Sequence, residues 1–177
     1  TDVPFSDEHV FYVVSKRKFA VLFIATFGFY GLYWVKKLTE LQVCIQRKND
    51  SNLARIFPDI FTHSLLRKVQ AELDHRGINF PWSANAHATL LVILLLLSNI
   101  LDRMSMRSIG NPLTEYVSLA LMVPLLFAYL KAQAAINCAC GEARRTSNDH
   151  FTGANLAWIA CGLILWGLSI YGLLNPS

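Results

Sequence analysis

Charge is scarce in this sequence. Only 16% of its residues are Asp, Glu, Lys or Arg, against 54% hydrophobic, and the mean hydropathy is +0.37. A soluble domain carries about 25% charged residues, so the shortfall points to lipid as part of the solvent. The stretch ATLLVILLLLSNIL, between His87 and Asp102, holds no charge at all. Cysteine is sparse as well, and four Cys do not form the disulfide framework of a small secreted domain. Cys44, Cys138 and Cys140 fall in segments read as cytoplasmic, and Cys161 lies in an apolar helix, so reduced thiols are expected. Catalytic signatures are missing too: there is no G-x-S-x-G, H-E-x-x-H, phosphate loop or dinucleotide fingerprint. No cofactor is expected. The opening TDVPFSDEH is polar and acidic, so no secretory signal is expected there. The chain has no internal repeat and no low-complexity segment. Its net charge is +4, but the aromatics lie within apolar runs rather than among basic residues, which argues against a nucleic-acid partner.

Apolar runs dominate what is present. A hydrocarbon core of about 30 Å takes about 20 mostly apolar residues as a helix. Three runs meet that length, at residues 84–101, 115–135 and 154–174, and Pro124 is expected to kink the second. A shorter apolar segment covers residues 19–35. Residues 36–82 read as a cytoplasmic region. Within it, Leu53, Ile56, Phe57, Ile60, Phe61, Leu65, Leu66, Val69 and Leu73 recur at helical spacing from residue 52 to 75. Such an amphipathic helix either packs on the protein's own membrane helices or lies in the lipid interface. Pro58 is expected to kink or restart it. The expected fold is an all-α integral membrane protein, a single domain over residues 1–177, with three or four transmembrane helices plus the cytoplasmic amphipathic helix.

The number of crossings turns on TFGFYGLYWVKK, residues 26–37, inside the shorter run. If that run crosses, the 16 Lys and Arg divide 11 against 5, and Lys16, Arg17 and Lys18 are stranded outside. If it is re-entrant, they divide 14 against 2, with only Arg103 and Arg107 outside. The second arrangement satisfies the positive-inside rule better, and Gly28 and Gly31 could supply a turn. The first is allowed because 17 residues sit at the lower edge of the spanning range and glycines are ordinary in membrane helices.

TFGFYGLYW flanked by lysines resembles the Thr-x-Gly-x-Tyr-Gly-Leu-Tyr-Trp stretch of small bacterial inner-membrane proteins grouped as a domain of unknown function. Looser similarity extends to FPDIFTHSLLRKV and NDHFTGANLAWIACGLILWGL. The resemblance implies a multi-pass protein of the bacterial inner membrane. It carries over no activity and no catalytic residue. Its motif positions here are Gly28, Tyr30, Gly31, Tyr33 and Trp34.

Few residues invite chemistry. Cys138 and Cys140 with His150 are soft metal ligands in a C-x-C spacing that lacks a fourth partner, so small packing residues are the expected reading. Asp59 and His63 stand four residues apart, a spacing that suits acid–base work and equally an ordinary local hydrogen bond. His63 and His75 are about three turns apart and cannot share a metal in one straight helix. Lys131 and Asn99 are polar groups near the ends of apolar helices. Lys131 is expected to snorkel to the interface and Asn99 to bond a neighbouring helix. Gly162, Gly167 and Gly172 suggest close helix approach. The expected function is non-enzymatic: binding lipid or another membrane protein, as an accessory subunit or an immunity-type protein, or self-association. The alternatives are a small oligomeric transporter or channel using Asn99 and Lys131, and then a lipid-acting membrane enzyme.

Overall fold

A computed structural model of the chain describes residues 11–46, 58–141 and 148–174, with the side chains of 41–46, 58–61 and 173–174 outside that description. It is all-helical: α1 Lys16–Ala25, α2 Phe29–Gln46, α3 Pro58–His75, α4 Ala84–Met106, α5 Leu113–Ala139 and α6 Gly153–Leu174. Three of these, α4, α5 and α6, are long and apolar enough to cross a membrane. Each covers its expected run and reaches beyond it, since helical hydrogen bonding does not stop where the apolar residues do. The last turns of α4 include Asp102 and Arg103, and Ser118 Oγ of α5 donates to the Asp102 carboxylate at 2.7 Å. Helix α5 runs on through Pro124.

The core is built on the antiparallel pair α4 and α5. Their register is fixed at one end by Asp102 and Ser118, and further along by His87, whose Nε2 donates to the Ala128 carbonyl at 2.8 Å. Helix α3 returns alongside α4: His63 Nε2 meets Thr89 Oγ1 at 3.1 Å, and Trp82 Nε1 donates to Gln70 Oε1 at 2.7 Å. It buries Leu65, Leu66, Val69 and Leu73 against α4 and α5. The expected apolar face therefore packs on the protein's own helices. Burying four such side chains stabilises that contact by about 1.5–3 kcal/mol each in area terms. Pro58 occupies the first position of α3, where its missing N–H costs nothing. The expected turns before it, residues 52–57, lie outside the described residues.

The segment of residues 19–35 does not form one helix. Helix α1 ends at Ala25, a three-residue turn follows, and α2 runs back antiparallel to α1. Ten residues of α1 span about 15 Å, half of a hydrocarbon core. Of the two arrangements open from the sequence, the chain adopts a hairpin. Lys36 and Lys37 consequently return to the end of the bundle from which Lys16 and Arg17 set out. Helix α6 packs mainly on α1 and leaves most of its surface bare.

Candidate functional site

Thr26, Phe27, Gly28, Tyr30, Gly31 and Trp34 of TFGFYGLYW each have a structural task in the hairpin. Breaking a helix frees backbone groups, and at membrane depth those groups must find partners within the protein. Thr26 supplies two of them: its Oγ1 donates to the Leu22 carbonyl at 2.7 Å and accepts from the Tyr30 N–H at 2.9 Å. Gly28 N–H bonds the Phe23 carbonyl at 2.8 Å, and Phe29 N–H the Thr26 carbonyl at 3.0 Å. Phe27 and Gly28 carry positive φ angles of 52° and 83°, and the second is where glycine removes the strain. Phe27 compensates for its conformation by stacking on Trp166 of α6, ring centroids 4.2 Å apart. Trp166 Nε1 in turn donates to the Ile24 carbonyl at 2.8 Å.

Below the turn, the hairpin closes on an aromatic cluster. Phe19 and Phe23 of α1 and Trp34 of α2 surround Tyr129 of α5 with centroid distances of 5.7, 5.6 and 5.4 Å, and Phe19 lies edge-on to Tyr30 at 5.3 Å. Such pairs add about 0.5–1.5 kcal/mol each beyond their buried area. Gly31 suits this crowding: a Cβ there would stand 3.1 Å from the Tyr129 ring and 3.2 Å from Phe23, so those rings would have to shift by a few tenths of an ångström.

A buried polar ladder continues from the cluster. Trp34 Nε1 donates to Gln133 Oε1; Gln133 Nε2 donates to Asn137 Oδ1 at 2.7 Å and to the Tyr12 carbonyl at 3.2 Å; Asn137 Nδ2 donates to the Val14 carbonyl at 3.0 Å. Asn148 holds the Val13 carbonyl at 3.1 Å. The extended residues 12–15 are thereby tied to α5 and to the start of the α6 segment. Lys18, buried at 3% exposure, donates from Nζ to Asn148 Oδ1 at 2.6 Å and to the His150 carbonyl at 2.7 Å. Burial pushes its pKa down, and the charge of Asp149 partly counters this. On α2, Glu40 accepts from Lys37 at 3.1 Å and lies 3.8 Å from Lys36; this hydrogen bond and its charge raise the Lys37 pKa.

Between the hairpin and the start of α6 lies a groove of about 390 Å³, lined by Leu22, Thr26, Phe29, Tyr30, Tyr33, Thr152, Ala154, Asn155 and Trp158. Its volume is within the range of small-molecule sites. Thr152 and Asn155 cap one another at its rim: Thr152 N–H donates to Asn155 Oδ1 at 3.1 Å, and Asn155 N–H to Thr152 Oγ1 at 3.3 Å. Lys37 Nζ stands 5.9 Å from the centre of the ring of Tyr33, which lines the groove.

Gly28, Tyr30, Gly31, Tyr33 and Trp34 are thus brought together, two of them on the groove. The remaining sequence candidates are not. Gly162 does mediate close approach, with a Cβ there falling 1.8 Å from the Ala25 carbonyl oxygen, whereas Gly167 and Gly172 meet nothing within 4 Å. Asn99 bonds the Leu95 carbonyl of its own helix at 2.8 Å instead of a neighbouring helix, because it faces outward. Lys131 is exposed, near the α5 end opposite to the one that Asn99 flanks, so the two define no shared path. Cys138 and Cys140 are half-buried and His150 is exposed; among the described residues no three His, Cys, Asp or Glu side chains converge as metal ligands. His63 bonds Thr89, and the Asp59 side chain lies outside the described residues. Sequence reasoning missed Gln133, Asn137 and Thr26. The first two had a visible signal, since amides four residues apart on an apolar helix are costly unless bonded.

The fold and this site define a multi-helix membrane protein with a helical hairpin seated against its crossing helices. Compared with family models, curated proteins and solved structures, the chain finds no match.

Proposed function

We propose that this is a non-enzymatic membrane protein that binds lipid through a re-entrant hairpin. The groove carries the reading: it is lined by apolar and aromatic side chains together with the hydroxyl and amide groups of Thr26, Thr152 and Asn155, and one wall belongs to a helix long and apolar enough to cross a membrane. That mix of apolar and polar lining matches an amphiphile. Re-entry gives the better charge balance, with Arg103 and Arg107 as the only Lys or Arg on the far side, and the near side is then cytoplasmic. The likeness of TFGFYGLYW to bacterial inner-membrane proteins favours that membrane. The test is gentle solubilisation followed by native mass spectrometry. Retention of about one phospholipid per chain, lost in Ala154→Phe, supports the reading. Ala154 is exposed on the groove wall, so a larger side chain fills it without disturbing the core. A chain that retains no lipid and takes up none from vesicles refutes it.

A second reading, contact with another membrane protein or a second copy, draws on α6. Leu163, Ile164, Leu168 and Tyr171 are each at least 64% exposed, and Gly167 and Gly172 leave room for a close neighbour. Crosslinking from Gly167→Cys in native membranes tests it: a crosslinked partner or dimer supports it, and none counts against it. Transport through Asn99 and Lys131 has less support, given their separation.

A further inference from the structure

We infer that the groove selects an anionic phospholipid, with an acyl chain between the hairpin and α6 and the phosphate at the rim near Lys18 and Lys37. This rests on the groove being a lipid site and adds the headgroup to it. Lys18 is 3% exposed, yet its two partners, Asn148 Oδ1 and the His150 carbonyl, are neutral. It makes no ion pair among the described residues. An ammonium has three donors, and the two bonds leave one unassigned. A buried cation without a counter-anion is costly.

Lys18 also stands in the right part of the fold. It is one helical turn from Leu22, which lines the groove, and its partner His150 is two residues from Thr152 on the rim. Lys37 lies over the ring of Tyr33, another lining residue. Glu40 is shared between Lys36 and Lys37 and so neutralises one of the two. Lys16 and Arg17 are exposed on the first turn of α1. Asp149 is the described carboxylate whose charge reaches Lys18, and it is exposed. Among the described residues the rim therefore keeps a positive balance beside an apolar slot, and a lipid phosphate satisfies both at once. Inorganic phosphate would engage the cations and leave the slot empty.

The experiment uses the purified full chain in a neutral detergent with two fluorescent lipids of identical acyl chains, phosphatidylglycerol and phosphatidylcholine. The wild type is expected to prefer phosphatidylglycerol, whose phosphate charge no choline cation cancels, and Lys37→Gln to reduce that preference about fivefold. Lys18→Met is expected to act in the same direction. Because Lys18 also anchors Asn148, Lys37→Gln on the surface keeps the inference testable should Lys18→Met misfold. Millimolar inorganic phosphate is expected not to displace the lipid. Equal binding of both lipids by the wild type overturns the headgroup assignment while leaving the groove a lipid site. Displacement by inorganic phosphate overturns the lipid source of the anion. Absence of binding by either lipid overturns the groove reading itself.

Discussion

Gly162→Ala is the sharpest probe of how the hairpin is held. The added Cβ would fall 1.8 Å from the Ala25 carbonyl oxygen and 2.6 Å from its carbon. Both are backbone atoms, so neither can swing aside, and α1 must move from α6 by more than an ångström. Two contacts depend on that approach, the Trp166 bond to the Ile24 carbonyl and the Phe27–Trp166 stack. Each contributes about 0.5–1.5 kcal/mol, and helical alanine returns up to about 1 kcal/mol over glycine. Relative to a glycine-to-alanine change that has only the helical gain, the loss is about 1–3 kcal/mol, or roughly 2–12 °C in Tm for a chain of this size. Gly167→Ala is the matched control, because nothing lies within 4 Å of its Cβ position and only the helical gain applies. Both variants are melted in one detergent and followed by near-ultraviolet circular dichroism, which reports the aromatic stack. Equal melting of the two would refute the argument that Gly162 is the joint between α1 and α6.

Further expectations concern the same region. Trp34→Phe keeps the ring in the aromatic cluster but removes the donor to Gln133 Oε1, and chemical unfolding is expected to show a loss of about 1–3 kcal/mol; a neutral result would mean the ladder is not a stabilising element. Thr26→Val strips the turn of both its side-chain bonds and is expected to speed exchange of the Tyr30 amide, while Thr26→Ser preserves them; matching exchange in the two variants would contradict the role given to Thr26. Single cysteines at Lys16 and Lys37 are expected to react with an impermeant maleimide from the same face of sealed vesicles, and reaction from opposite faces would show the segment crossing.

Much of the fold could be read in the primary structure. The three crossing helices follow from run length alone, because each apolar stretch satisfies its backbone internally and needs no particular neighbour. The face of α3 followed from the spacing of Leu65, Leu66, Val69 and Leu73. The site was legible only in outline. Gly28, Tyr30, Gly31, Tyr33 and Trp34 stood out by composition, but their tasks involve Phe23, Tyr129 and Gln133, the last 99 residues from Trp34 in the chain. Lys131 and Asn99 drew notice as polar groups in apolar surroundings, yet both face outward, and the bonded amides Gln133 and Asn137 carried the structural role.

The sequence by itself determined the solvent, the number of long apolar helices and the motif that merits attention. Whether residues 19–35 cross or turn back was decided by tertiary structure. Local preference and charge balance were too evenly matched to choose, since glycine serves a helix or a turn alike. The choice rests on contacts that exist only after folding: Thr26 satisfies the broken backbone, Trp166 holds the Ile24 carbonyl, and Gly162 lets α6 come close enough to do so.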